Sequence, residues 1–279
     1  MYAGYRNTDQ FPVAIKIIDK NRTTYHKGTD ERKVLREIIL MRMTDHITGV
    51  IKLLDSFELP DCYTLIIERL MKPNTHRTRY WLQNPDPNVK AIADLISDIG
   101  PLQESRAKRI FHQVLDTVQK IHAAGVVHRD IKTDNILIET QCDEIKIIDF
   151  GCGTRLHDGI YNNFRGTTVL SPPELVQGRG YRAEGLTVWS LGTLLYDMVC
   201  GDTPFDSDDE IIEAHIFFPS NFNLSAELKQ LIRACLTTST SERITLEAIS
   251  GHPWLTGNPP LNPSAHHPCL QRAISASPM

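Results

Sequence analysis

Residues able to do chemistry fall in three short runs. Val13-Ala14-Ile15-Lys16 lies near the start, His128-Arg129-Asp130-Ile131-Lys132-Thr133-Asp134-Asn135 near the middle, and Ile145-Lys146-Ile147-Ile148-Asp149-Phe150-Gly151 soon after it. Singly, each has an ordinary explanation. Lys16 or Glu37 reads as a solvated surface charge, Asp130 as a turn cap, and Asp149-Phe150-Gly151 as a strand running into a turn. Together, and in this order, they supply what phosphoryl transfer requires. The group in flight spreads negative charge over its oxygens, so catalysis is mostly positioning and electrostatic stabilisation. Asp130 is the carboxylate to accept the proton of an attacking hydroxyl. Asn135 and Asp149 are oxygen donors of the kind that a hard cation such as Mg2+ takes. Lys132 reaches a γ-phosphate as a point charge, and Lys16 holds the α- and β-phosphates of ATP, with Glu37 to fix its position.

Each run needs an element beneath it. Pro12 to Ile18 is short, β-branched and apolar, which predicts a strand buried on both faces. Thr29 or Asp30 caps a helix with Glu31 in its first turn, and Val34, Leu35, Ile38, Ile39 and Met41 form its apolar face. Strands are predicted at Val50 to Phe57 and Tyr63 to Glu68, with Leu59-Pro60-Asp61 as the turn between them. Residues 70–84 lose all periodicity and read as an inserted loop, which ends at Asn84-Pro85-Asp86-Pro87. Ser105 caps a long helix with Ile110, Phe111, Val114, Val118 and Ile121 inward and Gly125 as its stop. Further helices are predicted at 186–200, 225–237 and 244–250. The expected organisation is α+β and two-lobed: a small strand-rich lobe over 1–69, the 70–84 insertion, a larger helical lobe over 85–256, and a poorly ordered tail over 257–279.

Composition sets limits. The 279 residues carry a formal charge of -4, with 41% hydrophobic and 23% charged residues, an ordinary globular balance that argues against nucleic acid as a partner. The run Leu186 to Cys200, broken by Asp197, is too short for a bilayer and reads as a buried helix. No signal-peptide pattern opens the chain, and the six cysteines are scattered without a metal or disulfide spacing, so the expected setting is the cytoplasm, with nuclear access open. A monomer is expected, since no heptad or repeat suggests otherwise.

The three runs match the signature set of the protein kinases, and the chain resembles the Pim group of serine/threonine kinases from about Tyr2 to Leu255. Ser171-Pro172-Pro173-Glu174, Thr187-Val188-Trp189-Ser190-Leu191-Gly192, Leu195-Tyr196-Asp197-Met198-Val199-Cys200-Gly201-Asp202 with Pro204-Phe205, and His252-Pro253-Trp254 carry the closer likeness. This resemblance implies the two-lobed kinase fold, ATP and Mg2+, and protein substrates phosphorylated on Ser or Thr, the latter through Lys132. It places Ala14 and Leu137 against adenine and gives Glu68 a backbone contact to it. It seats the acceptor with Gly166-Thr167 and makes Glu174 and Arg243 a buried ion pair. Arg129 would meet a phosphorylated loop, yet Tyr161 is the only hydroxyl between Arg155 and Arg165, which implies a loop ordered without phosphate. Asp206, Asp208, Asp209, Glu210 and Glu213, with Asp134, either favour basic residues upstream of the acceptor or simply start a helix with favourable dipole charges.

Four departures stand out. No Gly-x-Gly-x-x-Gly precedes Lys16, and Met1-Tyr2-Ala3-Gly4 aligns with the second strand of the small lobe, beyond that loop. The expected small lobe therefore lacks its first strand and the amides that cradle phosphate. That leaves two readings, a kinase whose chain starts further upstream, or an impaired pseudokinase that acts as a scaffold. The 70–84 segment interrupts the Pim-like pattern after the hinge. Ala91 stands where a ribose-contacting carboxylate is expected. Ile244 replaces the proline after Arg243.

Overall fold

The computed structural model describes residues 2–19, 36–69, 88–164 and 166–257. Its first part is an antiparallel sheet with one helix: β1 (Tyr2–Tyr5), β2 (Pro12–Asp19), α1 (Arg36–Met43), β3 (Leu53–Glu58) and β4 (Cys62–Glu68). The strand order is β1-β2-β4-β3. Lys16 sits opposite Leu65 and Ala14 opposite Ile67. Directly paired residues share a face, and Leu65 and Ile67 are buried, so Lys16 belongs to the inner face.

Ile17 corrects the expectation of a strand buried on both sides. It is 51% exposed, paired with Thr64, which is itself opposite the exposed Phe57. Alternate residues of a strand reach opposite faces, and only one face of this sheet is covered by described residues. In α1 the buried positions are Glu37, Ile38, Leu40 and Met41, so the inward stripe runs through Leu40 while Ile39 is half-buried. The predicted cap at Thr29 or Asp30, with Glu31, Val34 and Leu35, lies outside the described residues. Val50 is not part of β3. It forms a parallel bridge to Ile147, flanked by Ile51 N–H to Ile147 O (3.0 Å) and Ile147 N–H to Gly49 O (2.8 Å), which staples the small sheet to the larger part.

That larger part is mostly helical. It runs through β5 (Val89–Ala91), α2 (Ile92–Ile99), α3 (Glu104–Ala123), β6 (Val126–Val127), β7 (Ile136–Glu139), β8 (Glu144–Ile147), β9 (Thr154–Arg155), α4 (Pro173–Val176), α5 (Ala183–Cys200), α6 (Asp208–Glu213), α7 (Ala226–Cys235), α8 (Leu246–Ser250) and α9 (Pro253–Thr256). Strands β5, β7 and β8 form one small sheet and β6 with β9 another. The result is the two-lobed α+β arrangement expected from the resemblance. The 70–84 segment lies outside the described residues, as does the tail beyond Gly257.

Helix α3 buries Ile110, Phe111, Val114, Val118 and Ile121, as its period predicts. Its start differs. Gln103 is the cap residue, and Ser105 lies within the first turn. Glu104 sets this start, because its carboxylate accepts from Ser225 N–H (2.9 Å) and Trp254 Nε1–H (2.8 Å). Gly125, at φ +76°, ends the helix in a conformation open to glycine at little cost. Helix α5 is buried along almost its whole length. The predicted core helix is therefore present, and among the described residues no helix is long and apolar enough to cross a membrane.

Candidate active site

Three elements bring the first charged cluster together. Lys16 Nζ, from the inner face of β2, lies 2.7 Å from Glu37 Oε1 on α1 and 2.8 Å from Asp149 Oδ1 just past β8. Burial pulls the Lys16 ammonium downward, but the attraction of Glu37 and Asp149 outweighs it and the group is held above its ordinary range. Burial likewise pushes Glu37 up, against the pull of Lys16. For Asp149, burial is overcome by the Lys16 charge and by hydrogen bonds from Lys16 and the Gly151 N–H, so its carboxyl sits below the usual range. Lys16 and Asp149 stay ionised because each answers the other's desolvation.

Asp149 adopts φ +64°, a left-handed conformation that costs a non-glycine residue roughly 1–3 kcal/mol unless its surroundings hold it. Those surroundings are visible. Phe150 is fully buried, edge-on to the His128 ring at 4.9 Å. His128 Nε2 bonds to Ile148 O at 2.9 Å, while its Nδ1 accepts from Asp130 N–H at 3.3 Å. This assigns the Nε2–H tautomer to a neutral ring, which its burial also favours by lowering its pKa.

The second cluster is built on the loop after β6. Asp130 Oδ1 accepts from the Thr167 hydroxyl (2.7 Å) and the Thr167 N–H (3.0 Å), and Oδ2 accepts from Asn135 Nδ2 (2.8 Å). Lys132 Nζ donates to the same Thr167 hydroxyl at 2.9 Å. A hydroxyl held between a carboxylate and an ammonium, its proton toward Asp130 and its oxygen beside a cation, is the arrangement that general-base chemistry on an alcohol needs. Gly166 permits the approach, for a Cβ there would lie 2.4 Å from Arg129 O. The two clusters adjoin, since Ile148 N–H donates to Asn135 O at 2.9 Å and Ile148 directly precedes Asp149.

The donor set fits a hard cation. Asn135 spends its amide hydrogens on the Asp130 backbone and side-chain oxygens, which leaves its Oδ1 as the atom that could face a cation, with Asp149 ionised nearby. Among the described residues no cluster of three or more His, Cys, Asp or Glu offers another metal site.

The remaining predicted residues are spread around this centre. Ala14 on β2 and Leu137 on β7 are half-buried, one on each lobe. Glu68 closes β4, with its N–H on Lys52 O (2.9 Å) and its carboxylate on Lys146 Nζ (2.9 Å). Asp134 is exposed, 4.0 Å from Lys132. Ala91 pairs with Leu137. Glu174 and Arg243 meet bidentately at 2.8 Å through both nitrogens, with Arg243 side-chain exposure of only 1%. The acids Asp208, Asp209 and Glu210 occupy the first turn of α6 behind a Ser207 cap. Sequence reasoning missed the Thr133–Asp197 and Glu68–Lys146 contacts and the bracing by His128. No local signal marks the first two, which join residues 64 and 78 positions apart. His128 is visible as part of its run, but its ring contacts depend on tertiary placement.

Comparison with known proteins agrees with this geometry. A family model for the protein kinase domain matches residues 1–255. The chain is similar to the serine/threonine-protein kinase pim-2 of Danio rerio, with 40% identity over 265 residues, 91% of this chain and 80% of that protein. It is 34% identical to the serine/threonine-protein kinase prk-2 of Caenorhabditis elegans, covering 91% of this chain but 55% of the other. With the testis-specific serine/threonine-protein kinase 3 of Homo sapiens it shares 31% over 263 residues, 90% of this chain and 89% of that one. A lysine clamped by a helix carboxylate, a second carboxylate gripping a hydroxyl and this breadth of likeness lead to one conclusion: the chain belongs to the protein kinase family and is a Pim-like serine/threonine protein kinase.

Proposed function

We propose that this kinase transfers the γ-phosphoryl group of ATP to Ser or Thr hydroxyls of proteins through Asp130, with Lys132 and Lys16 as its cationic supports, and that it does so without phosphate on the segment after Asp149. The observation that carries the reading is the grip of Asp130 and Lys132 on one hydroxyl, that of Thr167. Asp130 orients the acceptor and takes its proton. Lys132 lies where it can follow the charge on the γ-phosphoryl oxygens. Lys16, fixed by Glu37, receives the α- and β-phosphates.

Asn135 and Asp149 would hold Mg2+, which when bound neutralises charge on the phosphate oxygens. Ala14 and Leu137 sandwich adenine in this reading. Because the Glu68 N–H is already given to Lys52 O, the Glu68 carbonyl is the atom left to read the base. Independence from phosphorylation is supported by Arg129, whose side chain is hydrogen-bonded to neutral oxygens of Cys152, Gly153, Asn163 and Tyr181. The exposed acids of α6, with Asp134, suit a substrate carrying Lys or Arg upstream of its acceptor.

A peptide panel with labelled ATP tests this. Label is expected on Ser and Thr, with Mg2+ but not with EDTA, most strongly on peptides with upstream Arg or Lys, and unchanged after phosphatase treatment of the enzyme. Indifference to upstream charge would remove the substrate reading, and loss of most activity after phosphatase would remove the regulatory one.

A further inference from the structure

We propose that Tyr181 is the positioning residue that orders the segment after Asp149, its hydroxyl standing beside Arg129 where a phosphate would otherwise be required. The proposal rests on the kinase reading and deepens its regulation.

Arg129 is a buried charge, only 4% exposed, and among the described residues none of its hydrogen-bond partners is a carboxylate. Nε donates to Cys152 O (2.6 Å), Nη2 to Gly153 O (3.4 Å), and Nη1 to Asn163 O (3.1 Å), Asn163 Oδ1 (3.4 Å) and the Tyr181 hydroxyl (3.0 Å). A guanidinium with no carboxylate among its described partners depends on every such acceptor, because a buried donor left unpaired carries its full desolvation cost. Of these partners only Tyr181 comes from outside residues 152–163. It lies in the connection between α4 and α5.

Tyr181 is bound to the segment at three levels. Its hydroxyl accepts from Arg129 and passes its own hydrogen to Asn163 O at 3.0 Å. Its backbone exchanges two hydrogen bonds with Tyr161, at 2.8 and 3.1 Å. Its ring stacks on Tyr161 (5.3 Å) and meets Phe164 edge-on (5.9 Å), while His157 stacks on Tyr161 in turn at 3.9 Å. The Tyr161 hydroxyl is itself built in. The residue is 5% exposed, and its oxygen accepts from His157 N–H and donates to Arg155 O. A hydroxyl so engaged offers nothing to a modifying enzyme without local opening.

The consequence reaches the chemistry through chain neighbours. Arg129 directly precedes Asp130 and itself adopts φ +67°, so the seat of its guanidinium fixes the loop that carries the base. On the other side, Gly166 packs against Arg129 O and Thr167 comes next in the chain. Tyr181 therefore acts on Asp130 and Thr167 without touching substrate.

Tyr181→Phe isolates the hydroxyl, since it keeps the ring stack and the backbone bridge. A hydrogen bond to a charged group corresponds to a factor of about 10–100. In Tyr181→Phe, kcat/KM for a protein substrate is expected to fall by about 10-fold or more, and amide hydrogen exchange over residues 154–164 to quicken comparably. Mg-ADP affinity should stay within about 2-fold, because Lys16, Asn135 and Asp149 are untouched. Asn163→Asp in the Tyr181→Phe background places a carboxylate within reach of Nη1 and is expected to restore exchange protection and rate to within about 3-fold. Unchanged exchange and rate in Tyr181→Phe would overturn the proposal, as would a loss that Asn163→Asp fails to repair, which would reduce Tyr181 to packing. If the parent chain transfers no phosphate, the kinase mechanism fails separately and the exchange measurement still decides the role of Tyr181.

Discussion

Thr133 Oγ1 donates to Asp197 Oδ2 over 2.6 Å, tying the turn that carries Asn135 to the buried helix α5. Burial holds the Asp197 carboxyl above its ordinary range, the Thr133 hydroxyl lowers it, and Asp134 and Asp202 raise it again. Thr133→Val keeps the side-chain shape and removes the donor that opposes the shift. The variant is expected to lose about 1–3 kcal/mol in urea unfolding, with a fall in kcat and little change in KM for ATP. A neutral result in both would mean that the turn is held by its backbone alone.

Glu37→Gln tests the clamp on Lys16. The neutral amide still fills its place in α1 and its oxygen can still accept from Lys16, but Asp149 is left as the counter-ion of Lys16. Transfer is expected to fall by about 100-fold, with the thermal midpoint nearly unchanged because the partly exposed Lys16 keeps Asp149 and is not left as an uncompensated buried charge. A loss of stability as large as the loss of rate would instead mark Glu37 as structural.

Glu174 and Arg243 should behave as a unit. Either Glu174→Gln or Arg243→Met leaves an uncompensated buried group and is expected to cost about 3–5 kcal/mol. The double variant should cost less than the two singles added, and a double-mutant cycle in denaturant measures the difference. Simple additivity would contradict the pairing.

Acid should weaken the fold before its carboxylates titrate. Burial lowers the pKa of His128 and of His122, the latter against an upward pull from Glu184. The unfolded chain therefore binds protons near the ordinary histidine value of 6.5 that the folded chain refuses. Their contribution is present above that value and lost as pH falls through the folded pKa, by up to about 1.4 kcal/mol per pH unit for each histidine. Glu37 has the opposite sign, since its raised pKa lets the folded state take a proton first. The urea midpoint is expected to drop between about pH 7.5 and about pH 5.5, and His122→Gln to flatten that drop. A midpoint constant across that range would contradict the burial of both rings as neutral groups.

Legibility follows the range of the interaction. Strand β2, helix α3 and helix α5 are readable because their periods and stops are local, as with Gly125 after α3. The proposed reacting groups stand out because their order along the chain matches a known chemistry. Ile17 defeats the pattern because a run of apolar residues does not say how many faces of a sheet are covered. Ser105 is not the cap because Glu104 meets Ser225 and Trp254, at separations of 121 and 150 residues, and that contact sets the helix start. The seat of Arg129 is half legible. Sequence shows a loop without Ser or Thr, and only the fold shows Tyr181 beside it.

Transfer of label from ATP to a Ser peptide by the parent chain and by Asp130→Asn is the most direct test of the mechanism. Asparagine keeps the shape of Asp130 and one oxygen to receive the Thr167 hydrogen bonds, but its NH2 cannot accept from Asn135 Nδ2 and the side chain cannot take a proton. The expected result is intact Mg-ADP binding in both, with transfer in Asp130→Asn reduced by about 100-fold or more. Equal transfer by the two proteins would contradict the assignment of Asp130 as the base.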